Sequence, residues 1–283
     1  MQNRSDTADP LPERLRTLAA TLLDAYDRGI EIAPPSARGH ALTLDEAYVL
    51  AAALIRIRQQ RGERLLGRKI GFTNRTIWAR YGVYAPIWGA IWDSTVQRLE
   101  VPRARASLAG LVQPRLEPEI VFGLAQAPRS SAIEDVGAAI GWVALGFEIV
   151  QSLYPDWRFE AADTVAAFGL HGRLYVGPPV DFGSWHDAAR DLAALELALT
   201  CDGRTIDRGL GSNVLDGPVA ALAHLVAELE RRPGMPPLRA GDIVTTGTIT
   251  DAAPLVPGQL WQSVPSGPPA IARLSGLTVQ TTD

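Results

Sequence analysis

Two glutamates stand two residues apart at the head of an apolar run, in Gln113-Pro114-Arg115-Leu116-Glu117-Pro118-Glu119-Ile120-Val121-Phe122, and this stretch constrains the chain more than any other. The run reads as a strand, where successive side chains alternate faces, so Glu117 and Glu119 point one way and Pro118 the other. Like charges held on one face raise a pKa or recruit a counter-ion. A solvated sheet edge and one half of a divalent-cation site both satisfy the pair. A second apolar run, Ala144-Leu145-Gly146-Phe147-Glu148-Ile149-Val150, carries one carboxylate in its middle. An unpaired buried carboxylate is costly or becomes neutral, so Glu148 needs a partner, either an arginine or a cation. Beside Glu117 and Glu119, the cation reading is the stronger.

Composition removes several classes of partner. The net charge is −4 and the pI near 5.6, with lysines and arginines dispersed, which argues against nucleic acid and acidic membranes. Cys201 is the only cysteine, so no internal disulfide forms, and it reads as a small buried hydrophobe. The start of the chain, Met1 to Arg16, has no apolar signal region. The longest uncharged apolar run, Val136 to Phe147, is well short of the roughly 20 residues a membrane helix needs. A cytoplasmic protein is expected.

At 283 residues the chain can form one large domain or two smaller ones. Apolar residues at helical spacing predict a helix over Leu15 to Asp27, ending near Gly29. A second is expected after Thr43-Leu44-Asp45-Glu46, with Thr43 as N-cap and Glu46 completing a capping box, running to Gln60. Gly67-Arg68-Lys69-Ile70-Gly71-Phe72-Thr73-Asn74 reads as a strand and polar turn; Lys69 there is a snorkelling surface residue or a functional one. Trp78, Tyr81, Tyr84, Trp88 and Trp92 follow closely, as core packing or as the wall of an apolar pocket. From Val96 the pattern turns strand-like, Leu192 to Asp202 forming one arm of a hairpin, with a further helix over Pro218 to Arg231 that stops at Pro233. The expected division is a mainly helical N-terminal cap over 1–95, carrying the lysine motif, and a β-rich catalytic domain over 96–283, the two forming one continuous globular unit.

His40, His171, His186 and His224 lie far apart with no metal-ligand spacing, which leaves carboxylate ligation and hence Mg²⁺, Mn²⁺ or Ca²⁺. Nucleophile-elbow, Walker and kinase signatures do not occur. Three carboxylates and a lysine suit Lewis-acid chemistry on a chelating oxygen substrate, for which a 2-oxo acid is the natural small molecule.

Lys69-Ile70-Gly71-Phe72-Thr73, the segment Gln113 to Ile120, Phe147-Glu148-Ile149-Val150, Asp163-Thr164-Val165-Ala166 and Ala240-Gly241-Asp242-Ile243-Val244-Thr245-Thr246-Gly247-Thr248 occur in an order that spans nearly the whole chain. In these segments the chain resembles the 2-oxopent-4-enoate (2-keto-4-pentenoate) hydratase and oxalocrotonate decarboxylase family of the fumarylacetoacetate hydrolase superfamily. The resemblance implies an α+β fold, a mixed β-roll with a helical front end, and a homo-oligomer. It implies Mg²⁺ or Mn²⁺ on Glu117, Glu119 and Glu148, Lys69 facing the substrate, and Gly247 and Thr248 near the substrate carboxylate. Lys69 and Asp163 are the catalytic candidates. Where the hydratases carry acidic residues after Gly82-Val83, this chain has Tyr84; where they carry an acid and an amide after Ala166, it has Ala167-Phe168. Tyr84 and Phe168 are therefore expected as apolar substrate contacts. The reaction implied is hydration or dehydration of a 2-oxo-4-enoate. Decarboxylation, tautomerisation, C–C bond hydrolysis or a non-catalytic small-molecule-binding or partner subunit remain as alternatives.

Overall fold

Capping chemistry sets the front of the molecule. The computed structural model describes residues 11–39, 41–75, 78–232 and 234–283; the polar start to Pro10, His40 and the Pro233 stop lie outside them. Helix α1 (Glu13–Arg28) ends on Gly29 in the left-handed conformation, where a Cβ would come within 2.6 Å of the Gly110 carbonyl oxygen. Helix α2 (Leu44–Gln60) opens with the expected capping box: Thr43 N–H donates to Glu46 Oε2 at 2.9 Å, and Glu46 N–H to Thr43 Oγ1 at 3.2 Å.

The strands are β1 (Leu65–Gly71), β2 (Ile87–Trp92), β3 (Val96–Arg98), β4 (Arg103–Ser107), β5 (Arg115–Leu124), β6 (Ile140–Val150), β7 (His171–Val176), β8 (Val180–Asp181), β9 (Glu196–Cys201), β10 (Arg204–Leu210), β11 (Ile243–Thr248), β12 (Ala253–Pro254), β13 (Leu260–Ser266) and β14 (Thr278–Thr282). One sheet runs β2-β1-β11-β5-β6-β7-β3, with β12 added to β5 and β8 to β6; a second runs β10-β9-β13-β14-β4. The first sheet mixes parallel pairs (β1 with β11, β3 with β7) and antiparallel ones. A boundary at residue 95 falls inside this sheet, because β1 and β2 pair into it through β11. The short helices α3 (Trp78–Tyr81), α4 (Ile133–Ala139), α5 (Ala161–Ala166) and α6 (Ala188–Ala193) and the longer α7 (Pro218–Glu230) pack around the strands. Leu192 belongs to α6, so the hairpin arm starts only at Glu196.

Register decides which side chains share a face of the large sheet. Glu117, Glu119 and Val121 of β5 stand beside Glu148, Gly146 and Ala144 of β6, and Thr245 of β11 beside Lys69 of β1. The apolar members of this face, Ile91, Val121, Ala144, Leu174, Val176 and Ile243, form a small buried cluster of their own. The opposite face joins the main core with the helices. The charged residues therefore sit at one end of a face whose remainder, Thr245 apart, is apolar and buried.

Candidate metal centre

Glu117 and Glu148 are directly opposite one another across the β5–β6 ladder, and Glu119 faces Gly146. One carboxylate oxygen from each of the three glutamates lies within 4.8 Å of the other two. Glu119 and Glu148 are fully buried, whereas Glu117 is half-buried and lines a pocket that opens on the group.

Two β-bulges complete the arrangement. Along β11 the pairing moves from Thr245 opposite Val121 to Thr248 opposite Glu119, which inserts one extra residue. Gly247 in this bulge has φ 101°, and its N–H donates to Glu119 Oε2 at 2.7 Å. A Cβ at Gly247 would fall 1.8 Å from Thr73 Oγ1, so glycine is needed here. Along β7 the pairing moves from Arg173 opposite Ile149 to His171 opposite Val150, with Gly172 as the extra residue. Without the bulge His171 would share the face of Arg173; with it, His171 turns to the face of Glu148, and its ring Nδ1 lies 2.7 Å from Glu148 Oε1. Each buried glutamate thus has one oxygen held by a bulge. Of the other two, Glu119 Oε1 accepts no hydrogen bond and Glu148 Oε2 meets only the Lys69 ammonium, at 3.1 Å, among the described residues.

If all three carboxylates ionise against one ammonium, two excess negative charges stand in a dry place. Burial pushes the Glu117 carboxyl up to about 7, opposed by Lys69 and reinforced by Glu148. Burial also raises Glu119 well above the carboxylate range, reinforced by Glu148 and Glu117. Glu148 goes the other way: burial opposes its ionisation, but Lys69 and His171 outweigh that and hold it down at about 2. For Lys69 burial disfavours the charge, yet the three glutamates prevail and raise its pKa. Lys69 is 2% exposed, so it is a buried cation and not a snorkelling surface residue. The set fits a divalent ion: one oxygen from each of three carboxylates converges, Glu119 Oε1 has no hydrogen bond and Glu148 Oε2 meets only Lys69, all are hard oxygen donors, and the charge missing from the ionised set is the charge such an ion carries.

The pocket beside Glu117 is lined by Lys69, Asn74, Arg80, Thr248, Trp157 and Leu170, among others. Three of its non-glycine residues, Phe72 (φ 54°), Trp157 (φ 57°) and Leu170 (φ 63°), hold left-handed backbone conformations. Such strain persists where surrounding structure enforces it, and it gathers at functional sites. Lys69, Glu117, Glu119, Glu148, Gly247 and Thr248 are thus brought together. Asp163, Tyr84 and Phe168 are directed elsewhere. The Asp163 carboxylate accepts hydrogen bonds from the Ser36 N–H (3.1 Å), the Ser36 hydroxyl (2.5 Å) and the Glu160 N–H (2.9 Å), tying α5 to the turn between α1 and α2. Tyr84 is 67% exposed, its ring edge-on to Trp78, because Val83 is the residue this loop buries. Phe168 packs 4.6 Å from the Tyr26 ring and beneath the Arg58 guanidinium. Trp88 and Trp92 are core residues. His171 escaped the sequence reading because its spacing to other ligands carries no pattern; the usable signal was Gly172, an isolated glycine inside a strand, which marks a bulge.

Known proteins share this architecture. The fumarylacetoacetate (FAA) hydrolase C-terminal family matches residues 93–268. A 2-hydroxyhexa-2,4-dienoate hydratase of Comamonas testosteroni is 31% identical over 255 residues, covering 89% of this chain and 94% of the relative. A 4-oxalocrotonate decarboxylase of a Pseudomonas species is 33% identical over 220 residues, covering 77% and 81%. Among solved structures, a 4-oxalocrotonate decarboxylase from Pseudomonas putida G7, complexed with magnesium and adipate, has the same fold, with a TM-score of 0.84 over 99% of this chain and 100% of that one at 24% identity.

Proposed function

The chain belongs to the fumarylacetoacetate hydrolase family, and from that premise we propose that it is a divalent-metal-dependent lyase acting on a 2-oxo acid, adding or removing water at a 2-oxo-4-enoate. The observation that carries this reading is the convergence of Glu117, Glu119 and Glu148 with Glu119 Oε1 free of hydrogen bonds and Lys69 as the one ammonium, a set that when ionised is two positive charges short of balance. Glu117, Glu119 and Glu148 would hold Mg²⁺ or Mn²⁺, both of which favour carboxylate oxygens. When bound, such an ion supplies a Lewis acid for the adjacent carboxylate and 2-oxo oxygens of the substrate.

The chain's own groups supply the rest. Lys69 lines the pocket and keeps its proton through neutral pH, so it acts as a fixed positive charge or a proton donor at the substrate's oxygen, not as a base. Asn74 and Thr248 offer polar contacts on the same wall. Trp157, Val150 and Leu170 keep bulk water from the hydrocarbon part of the substrate. Asp163 is proposed to act through α5 and the strained Phe168–Leu170 turn that follows it. A homo-oligomeric assembly and a cytoplasmic setting belong to the same reading; no helix among the described residues is long and apolar enough to cross a membrane.

A second reaction on this site has an observation in its favour. Among the described residues lining the pocket, Glu117 is the one carboxylate, so no separate base stands ready to activate water. Decarboxylation needs no such base. Incubation with short 2-oxo-4-enoates and their dicarboxylate counterparts, with Mg²⁺ or Mn²⁺ and with EDTA, read by ultraviolet absorbance and mass spectrometry, tests both. Metal-dependent gain of water supports the hydratase, metal-dependent loss of carbon dioxide the decarboxylase, and no conversion of either class refutes the lyase reading.

A further inference from the structure

His171 has no part in the site as described beyond one hydrogen bond, yet the fold goes to some length to aim it. Its ring is 1% exposed and lies between Glu148 and Thr95. The carboxylate can only accept, so Nδ1–H donates to Glu148 Oε1 at 2.7 Å. On the far side, Nε2 meets the Thr95 hydroxyl at 2.8 Å. Thr95 is itself tied to the Trp92 carbonyl, 3.0 Å from its Oγ1, in the turn between β2 and β3. The His171 ring is therefore pinned at both nitrogens. Its orientation depends on the β7 bulge, where a Cβ on Gly172 would lie 2.7 Å from the Ile149 carbonyl oxygen. Engaging Oε1 leaves Oε2 as the oxygen of Glu148 that turns toward Lys69.

We propose that His171, braced by Thr95, is a positioning residue for the metal centre: it locks the Glu148 carboxylate in the rotamer that presents Oε2 to a divalent ion. The inference rests on the metal reading given above and is tested apart from it. A ligand whose other oxygen is fixed loses little freedom on binding, and outer hydrogen-bond partners of this kind are generally worth roughly 10–100-fold in metal affinity. Binding of Mn²⁺ alone, followed by electron paramagnetic resonance and isothermal titration, is the measurement. If the wild-type protein does not bind Mn²⁺, the metal reading fails and this inference falls with it; if it binds and the variants below do not differ, this inference alone fails.

With wild-type binding in hand, His171→Leu should weaken Mn²⁺ roughly 10–100-fold and broaden the resonance as the ligand becomes mobile. His171→Asn, whose amide can occupy the place of Nδ1–H, should recover most of the affinity. Thr95→Val should fall between wild type and His171→Leu. Should His171→Leu fail to fold by circular dichroism, the asparagine and Thr95→Val variants decide the same question by their order. Equal Mn²⁺ affinities and spectra across the folded variants overturn the inference.

Discussion

The two sheets of this protein solve opposite problems. In the five-stranded sheet, β9 alternates between exposed or half-exposed and buried residues, and its buried side chains, Leu197, Leu199 and Cys201, are apolar. The nine-stranded sheet has β5 and β6 buried almost throughout, and within that dry face it keeps three carboxylates and a lysine. One sheet is at rest when folded. The other is folded into an electrostatic deficit that a bound cation would remove, so its residues trade stability for a site.

Replacing Glu119 by Gln exposes that trade most strongly. Loss of one ligand should lower Mn²⁺ affinity by roughly two orders of magnitude or more and remove turnover with it. The same substitution removes a carboxyl whose ionisation is opposed by burial, Glu148 and Glu117, so at alkaline pH the EDTA-treated variant should melt higher than the EDTA-treated parent. A variant that binds Mn²⁺ normally would break the comparison.

Glycines at positive φ sharpen it next. Gly247→Ala should destabilise by at least about 2 kcal/mol in urea unfolding, since strain is joined by a clash at Thr73. Gly203, in the β9–β10 turn of the quiet sheet, has φ 77° and open space where a Cβ would stand, and alanine there should cost about 1 kcal/mol from the backbone alone. Equal costs at both positions would mean that the bulge is not under special constraint.

The smallest effect is the response to pH. Glu117, at about 7, and Glu119 both titrate higher in the folded chain than in the unfolded one. The Glu117 contribution is therefore present below the unfolded carboxylate range and is lost as the pH rises through about 7, and that of Glu119 changes in the same direction. Glu148, at about 2, does not titrate in this window. The difference in Tm between Mn²⁺-saturated and EDTA-treated protein should widen by a few degrees between about pH 5 and about pH 8. A constant difference would show that the carboxyls are not held back by burial.

Much of this was legible beforehand in local terms. The capping box at Thr43 and Glu46, the left-handed Gly29 stop, and the shared face of Glu117 and Glu119 follow from rules that span a few residues. Asp163, Tyr84 and Phe168 were less legible as site residues, because what they touch (Ser36, Trp78 and Tyr26) is set by how distant segments meet. Lys69 in isolation looked like a surface residue; only its position on β1, parallel to β11 and within reach of Glu148, makes it a buried cation.

The order of residues alone determined that three glutamates would lie in apolar strands and would need positive charge, since alternation and the cost of burying a carboxylate are local and general. The tertiary structure alone decided how each carboxylate is held. One inserted residue in β11 turns the Gly247 N–H onto Glu119, and one in β7 turns His171 onto Glu148. A bulge is a mismatch between two strands, and neither strand's own sequence contains the register of the other.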